Sequence, residues 1–278
     1  MKNNTRKLAK HFVNVIKRPE IAILPGQLAF YFLMSLIPII ALAALIASKI
    51  VADLDLMSLL DSFFPEVFAN FLENMIISAN SYNNFLILLF FYIFVGANGP
   101  KAIITCSNTL YGIKGKGFFE TQLKAMFMTI IMVILILFVL FIPLGGNFLI
   151  ATLSRHVAKA RAIYEFQPLY YTLKYLISFF VIFISTKLLY TMAPNRKIKS
   201  KNTTIGALFT SVTWILLSDV FLFYITHVAK YQALYGNFAN ILVLLLWIYL
   251  LAYLFVIGMA LNINWYHNNF YDVEVVKE

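Results

Sequence analysis

ANILVLLLWIYLLAYLFVIGMALN, residues 239–262, runs for 24 residues without one Lys, Arg, Asp or Glu. As a helix it reaches roughly 36 Å at about 1.5 Å per residue, more than the roughly 30 Å of bilayer hydrocarbon. It lacks the period-2 alternation of a barrel strand, and lipid offers backbone groups no partner, so it reads as a membrane-crossing helix. Five more long apolar runs precede it, at about 28–51, 85–108, 123–150, 170–193 and 203–228. The expected fold is therefore all-α: a polytopic integral membrane protein of six transmembrane helices, with 1–278 forming a single membrane domain. Composition agrees, because the 278 residues are 62% hydrophobic and 12% charged, against roughly 45–50% and about 25% in soluble domains. A soluble enzyme and a disordered chain are both excluded.

The net charge of +10 alone fits either nucleic acid or an anionic membrane surface, and its distribution decides. Residues 1–27 hold Lys2, Arg6, Lys7, Lys10, Lys17 and Arg18 against Glu20, whereas 52–84 hold no Lys or Arg but five acids, Asp53, Asp55, Asp61, Glu66 and Glu73. Lys114 and Lys116 mark the next loop as inner, as do Arg196, Lys197, Lys199 and Lys201. Both termini are expected in the cytoplasm. Arg155, Lys159 and Arg161 dissent, since six crossings put them outside. The first apolar stretch starts only at 28, contains Pro38 and outruns a signal h-region, so it reads as a retained span despite Ala41-Leu42-Ala43.

Two amphipathic segments flank that first span. Leu8, Phe12, Val15 and Ile16 lie opposite Lys7, Lys10, His11, Asn14 and Lys17, a basic helix suited to anionic headgroups or else a solvated tail. Across 53–80 the i, i+3, i+4 spacing of Leu56, Leu59, Leu60, Phe63, Val67 and Phe71 predicts external surface helices broken at Pro65.

Function in such a chain shows where the apolar pattern is violated. The apolar part of the second span, FLILLFFYIFV at 85–95, covers only about 16 Å. The crossing must therefore include GANGPK at 96–101. An interruption there would free backbone near Gly96 and Gly99 beside Asn98, as in transporter binding sites; an ordinary proline kink with Lys101 snorkelling is the alternative. Asp219, within WILLSDVFLF, should turn inward, pair with Lys187 or Lys101, or be protonated, unless it faces the interface. Lys187 lies seven residues before Pro194 and can equally reach headgroups. Pro38, Pro143, Gly145, Gly146 and Asn147 mark further bends, Gln27, Ser35 and Asn240 add hydrogen-bonding capacity, and Tyr231, Tyr235, Trp265 and Tyr266 suit an aromatic belt.

No catalytic residue is expected: GxxxxGK[ST], HExxH and GxSxG are absent, and His11, His156, His227 and His267 are isolated. Neither a metal nor a cofactor is expected, and Cys106 reads as small apolar filler. Aromatics mingle with aliphatics instead of Arg, so nucleic acid is not the expected partner.

QLAFYFLMSLIPII at 27–40, the second span ending in SNTLYG at 107–112, LLYTMAP at 188–194, and 231–262 with YxxLYG, WIY and a late GxxLN together resemble the YihY/BrkB family over essentially the full chain. The SNTLYG ending departs from an expected ALN-type pattern. The resemblance implies six inner-membrane spans with cytoplasmic termini. Members have been labelled ribonuclease BN or virulence factors, and transport of lipids or other envelope components has been suggested for them. A nuclease needs clustered acids or histidines for metal ions, which this sequence lacks. The expected activity is transport or flipping of a lipid or other envelope-related amphipathic molecule, above all an anionic lipid, with Asp219 coupling to protons or cations, Asn98, Gly96 and Gly99 contacting the headgroup, and Lys101 or Lys187 attracting its phosphate. The alternative is a non-transporting scaffold that recruits envelope enzymes as protein partners.

Overall fold

The fold is described by a computed structural model covering residues 17, 19–50, 82–134, 160–227 and 239–274. These residues form α1 (Pro19–Ile50), α2 (Tyr82–Gly96), α3 (Asn98–Tyr111), α4 (118–134), α5 (Ala160–Met192), a 3₁₀ turn at Ser200–Thr203, α6 (Thr204–His227) and α7 (Ala239–Glu274), with no strand among them. Five stretches are long and apolar enough to cross a membrane: Pro19–Ala43, Leu86–Tyr111, Tyr175–Met192, Ser200–Phe221 and Ile241–Ile263. The third expected span, 123–150, is described and helical only as far as residue 134. The amphipathic segments at 8–16 and 53–80, the bends at 143–147, Arg155, Lys159, Tyr231 and Tyr235 lie outside the described residues, as do the side chains of Asn240, Trp265 and Tyr266.

Helix ends differ from the apolar boundaries for local reasons. α1 begins at Pro19, not 28, because proline suits the first helical position, where its missing N–H costs nothing, and Glu20 meets the positive end of the helix dipole. α7 continues to Glu274 through a polar stretch that contains no proline or glycine. Hydropathy marks where lipid ends, whereas backbone hydrogen bonding decides where a helix ends.

The expected interruption of the second span is a single residue. Ala97 separates α2 from α3 yet stays in the right-handed helical region, at φ −65° and ψ −11°. The Lys101 N–H still reaches the Ala97 carbonyl at 2.9 Å. Among the bonds lost there is the one that Pro100, which has no N–H, cannot give the Gly96 carbonyl. The geometry is that of a proline kink, without an unwound segment.

The chain gathers into two compact units, one of Met1–Leu36, Gly96–Met128 and Thr186–Glu278, the other of Ile37–Val95 and Thr129–Ser185. In the second unit Ile39, Leu42, Leu45, Tyr92, Val133 and Val181 are buried, while Leu86, Ile87, Phe90 and Phe91 are exposed as lipid-facing residues of a span should be. The core of the first unit contains Leu28, Ile103, Ile104, Tyr190, Phe255, Met259 and Ile263. Cys106 is free and buried in it.

Within the first unit, α6 and α7 approach at two glycines. A Cβ on Gly206 would overlap the Gly258 carbonyl, and one on Gly258 would overlap Thr210 Oγ1. Gly206 and Thr210 are four residues apart on α6, the small-residue spacing that lets membrane helices touch by their backbones, and Gly258 faces them from α7.

Candidate functional site

One end of the first unit collects the polar residues that the hydropathy pattern leaves unexplained. α5 stops at Met192 because Pro194 cannot continue it, and the last carbonyls of a helix then need donors from elsewhere. Lys124, on the facing α4, supplies them. Its Nζ donates to the carbonyls of Ala193 at 2.7 Å and Pro194 at 2.8 Å, and to Asn195 Oδ1 at 3.2 Å. A cation at the negative end of the α5 dipole is also favourable electrostatically. The Asn195 N–H donates to Asn108 Oδ1 on α3 at 2.9 Å, so the loop after α5 is tied to two helices.

The next helix start is finished in a similar way. Thr203 Oγ1 donates to the Ser200 carbonyl at 2.9 Å and meets Thr191 Oγ1 at 2.8 Å, joining the 3₁₀ turn to α5. Gly206 is the third residue of α6, where the backbone N–H has no partner in its own helix. It donates to Asn262 Oδ1 on α7 at 2.7 Å. Asn262 thus caps α6 from another helix, as Lys124 caps α5.

Deeper in the unit stands Tyr190, 1% exposed. Its hydroxyl donates to the Phe255 carbonyl at 2.7 Å and lies 2.7 Å from Thr210 Oγ1. A phenol has one proton and Phe255 O can only accept, so Thr210 is the donor to Tyr190. The Tyr190 ring packs on Phe255 at 4.6 Å between centroids. One helical turn away, Trp214 Nε1 donates to the Leu251 carbonyl at 3.0 Å. Tyr190→Phe keeps the ring and removes the hydroxyl, leaving the Thr210 proton without its acceptor. The expected cost is about 1–2 kcal/mol, read as a lower midpoint of thermal unfolding in detergent; an unchanged midpoint would show that the hydroxyl contributes nothing.

Among the residues singled out from sequence, Gly96 and Gly99 are buried and Asn98 is half-buried. Gly99 faces Ser35 Oγ and Phe32 of α1, so its missing side chain serves helix packing. Lys101 is half-buried; its Nζ donates to Gln122 Oε1 at 3.4 Å and lies 4.3 Å from the centroid of the Phe118 ring. Lys187 is half-buried on α5. Asp219 does not turn inward. It is exposed and makes no ion pair among the described residues, so the expected pairing with Lys187 or Lys101 is not formed. It lies about 22 Å along α6 from Thr204 and two residues before Phe221, where the candidate span ends. That position lets a carboxylate reach headgroups without an internal partner.

The segments that join at Asn108, Tyr190, Pro194, Gly258 and Asn262 are those whose motifs carry the family resemblance. A family model described as virulence factor BrkB matches residues 13–274. The chain belongs to the BrkB family. Among BrkB-like relatives, it is 29% identical over 242 residues to "Putative ribonuclease-like protein YfkH" of Bacillus subtilis, covering 85% of this chain and 87% of that protein. It is 38% identical over 85 residues to "UPF0761 membrane protein PM1616" of Pasteurella multocida, covering 31% of this chain and 27% of that one. A UPF0761 membrane protein of Chromobacterium violaceum is 48% identical over 64 residues, covering 23% of this chain and 15% of that relative. No solved structure matches the chain.

For this BrkB-family chain, sequence reasoning missed Lys124 altogether, along with Gly206 and Thr210. A lysine one residue inside an apolar run passes for a snorkelling end residue. The signal that points to it is Pro194, which leaves helix carbonyls in need of a donor. Asn108, in the SNTLYG ending that departs from the family pattern, holds the loop after α5 through the Asn195 N–H. Among the described residues, no three His, Cys, Asp or Glu side chains come together as a metal site.

Proposed function

We propose that this BrkB-family membrane protein transports or flips an anionic lipid in the bacterial cytoplasmic membrane, acting as one membrane domain. The observation that carries the reading is Lys101, an ammonium half-buried within the span Leu86–Tyr111 and held by Gln122 and Phe118. A cation at that depth attracts a lipid phosphate while acyl chains stay against apolar helix faces. Support for a cytoplasmic orientation of this end, and of both termini, comes from its charge. Segments 112–124 and 193–203 hold Lys114, Lys116, Lys124, Arg196, Lys197, Lys199 and Lys201 against Glu120 alone. In this reading Asn98 and the Gly96 carbonyl, which Pro100 cannot serve, contact the headgroup beside Gly99. Asp219 exchanges a proton at the far end of α6, and Lys187 supplements the attraction.

The test is exchange of a fluorescent phosphatidylglycerol between leaflets of vesicles containing the purified protein, with and without a pH gradient. Wild type should accelerate exchange, Lys101→Met should slow it at least tenfold, and Asp219→Asn should remove the response to the gradient. Exchange no faster than in protein-free vesicles overturns the reading.

A non-transporting scaffold for envelope enzymes is the second reading, and the exposure of Asp219 favours it, since coupling carboxylates in membranes usually face the bundle interior or water. On that reading Asp219→Asn is silent in every assay. The "ribonuclease-like" name of the Bacillus relative has no counterpart in a metal-holding cluster among the described residues.

A further inference from the structure

We propose that Asn195 and Asn202, with the cations Arg196, Lys197, Lys199 and Lys201 between them, bind a phosphate oxyanion. Residues 195–202 read NRKIKSKN, with Asn195 and Asn202 bracketing Arg196, Lys197, Lys199 and Lys201. Those four cations are exposed, whereas Pro194, Ile198, Asn202 and Thr203 are buried. The loop is therefore cationic outside and polar beneath.

The polar layer beneath has an unusual balance. Among the described residues, four buried side-chain atoms of the first unit find no hydrogen-bond partner: Ser107 Oγ, Asn195 Nδ2, Asn202 Nδ2 and Asn262 Nδ2. Three are amide nitrogens, which can only donate. For Asn195 and Asn262 the amide cannot be turned over, because their Oδ1 atoms already accept from Lys124 and from the Gly206 N–H. Asn202 is 8% exposed, so its donor is withheld from bulk water as well. Buried donors are ordinarily satisfied, and each exception asks for an acceptor.

The elements carrying these atoms pack together, since α7 contacts both α3 and the 3₁₀ turn. The scaffold is fixed beforehand by the Lys124 and Asn108 ties on one side and the Thr191–Thr203 bond on the other. What fits the two loop donors, Asn195 Nδ2 and Asn202 Nδ2, beside four cations is an anion with several acceptor oxygens. A phosphate group has them, and amide and lysine donors bind it through charge-assisted hydrogen bonds. The group can belong to a lipid headgroup or be free phosphate. In the first case the site deepens the lipid reading above and rests on it.

The experiment is calorimetric titration of the purified full chain in neutral detergent with dihexanoyl phosphatidylglycerol and, separately, with inorganic phosphate. Asn202→Asp is nearly isosteric and turns the donor into an anionic acceptor; Asn195→Asp does the same while keeping an oxygen for Lys124. Ser200→Asp adds the same charge on the exposed face of the loop. Saturable binding of either probe, weakened at least tenfold by Asn202→Asp but less than threefold by Ser200→Asp, is expected. Binding of phosphatidylglycerol alone assigns the site to a headgroup, and binding or competition by inorganic phosphate assigns it to the free ion. No saturable binding of either probe, or equal losses in Asn202→Asp and Ser200→Asp, overturns the proposal, the latter in favour of diffuse surface charge. Should Asn195→Asp fail to fold, Asn202→Asp decides alone, because its Nδ2 holds no bond in the structure. Binding without leaflet exchange would sink the transport reading and leave this site standing.

Discussion

Gly206→Val should prevent α6 and α7 from closing on each other. Even a single Cβ at 206 would overlap the Gly258 carbonyl and come within 2.6 Å of Asn262 Cγ. A backbone carbonyl cannot swing aside like a flexible side chain, so the helices must separate. Separation stretches the Gly206 N–H bond to Asn262 and pulls the Thr210 hydroxyl from Tyr190. Overpacking alone costs about 1–3 kcal/mol, and two broken buried hydrogen bonds add roughly 1 kcal/mol each. The sum is a large share of the roughly 5–15 kcal/mol that holds a typical domain. The measurement is the monodisperse fraction of detergent-solubilised protein on size exclusion, expected to fall to a minor part of wild type. Gly26→Ala is the control, since a Cβ there meets nothing within 4 Å; it should behave as wild type. A monodisperse Gly206→Val at wild-type yield would mean that the helices do not touch at this point.

Lys124→Glu should release the loop between α5 and the 3₁₀ turn. The substitution removes three hydrogen bonds to Ala193, Pro194 and Asn195 and sets a carboxylate against the same carbonyl oxygens. Charge-assisted bonds contribute roughly 1.5–3 kcal/mol, and reversing a charge at a helix C-terminus costs up to about 2 kcal/mol where the site is partly buried. Local opening of the loop then becomes frequent. Arg196, Lys197, Lys199 and Lys201 make it a trypsin substrate once it opens. Cleavage there should quicken by an order of magnitude or more, and Lys124→Arg should recover most of the protection. Cleavage at the wild-type rate in Lys124→Glu would show that the cap does not hold the loop.

Much of the architecture was legible before any coordinates. Helix α6 starts and ends within a residue of the expected 203–228 span, because a continuous apolar run has only one way to satisfy its backbone in lipid. The starts of α1 and α5 are not legible, because Pro19–Gln27 and Ala160–Leu169 lengthen helices without adding lipid-facing length. GANGPK reads as a break in the helix, yet its composition does not distinguish an unwound segment from the single-residue kink at Ala97. The choice lies with neighbours such as Ser35 and Phe32, which pack on Gly99.

The candidate site divides in the same way. Lys101 and the basic loop stood out because charge in an apolar chain is conspicuous by itself. Lys124, Tyr190, Gly206 and Asn262 did not, because what makes them matter is a partner 56 to 71 residues away in sequence, or 20 in the case of Thr210. From sequence alone came the medium and the helical class, since each follows from the transfer of local groups between water and lipid. Which helix ends cap one another, which glycines carry a crossing and which donors are left without acceptors were decided only by tertiary packing. Those are relations between surfaces, and no local pattern of residue types encodes the distance between them.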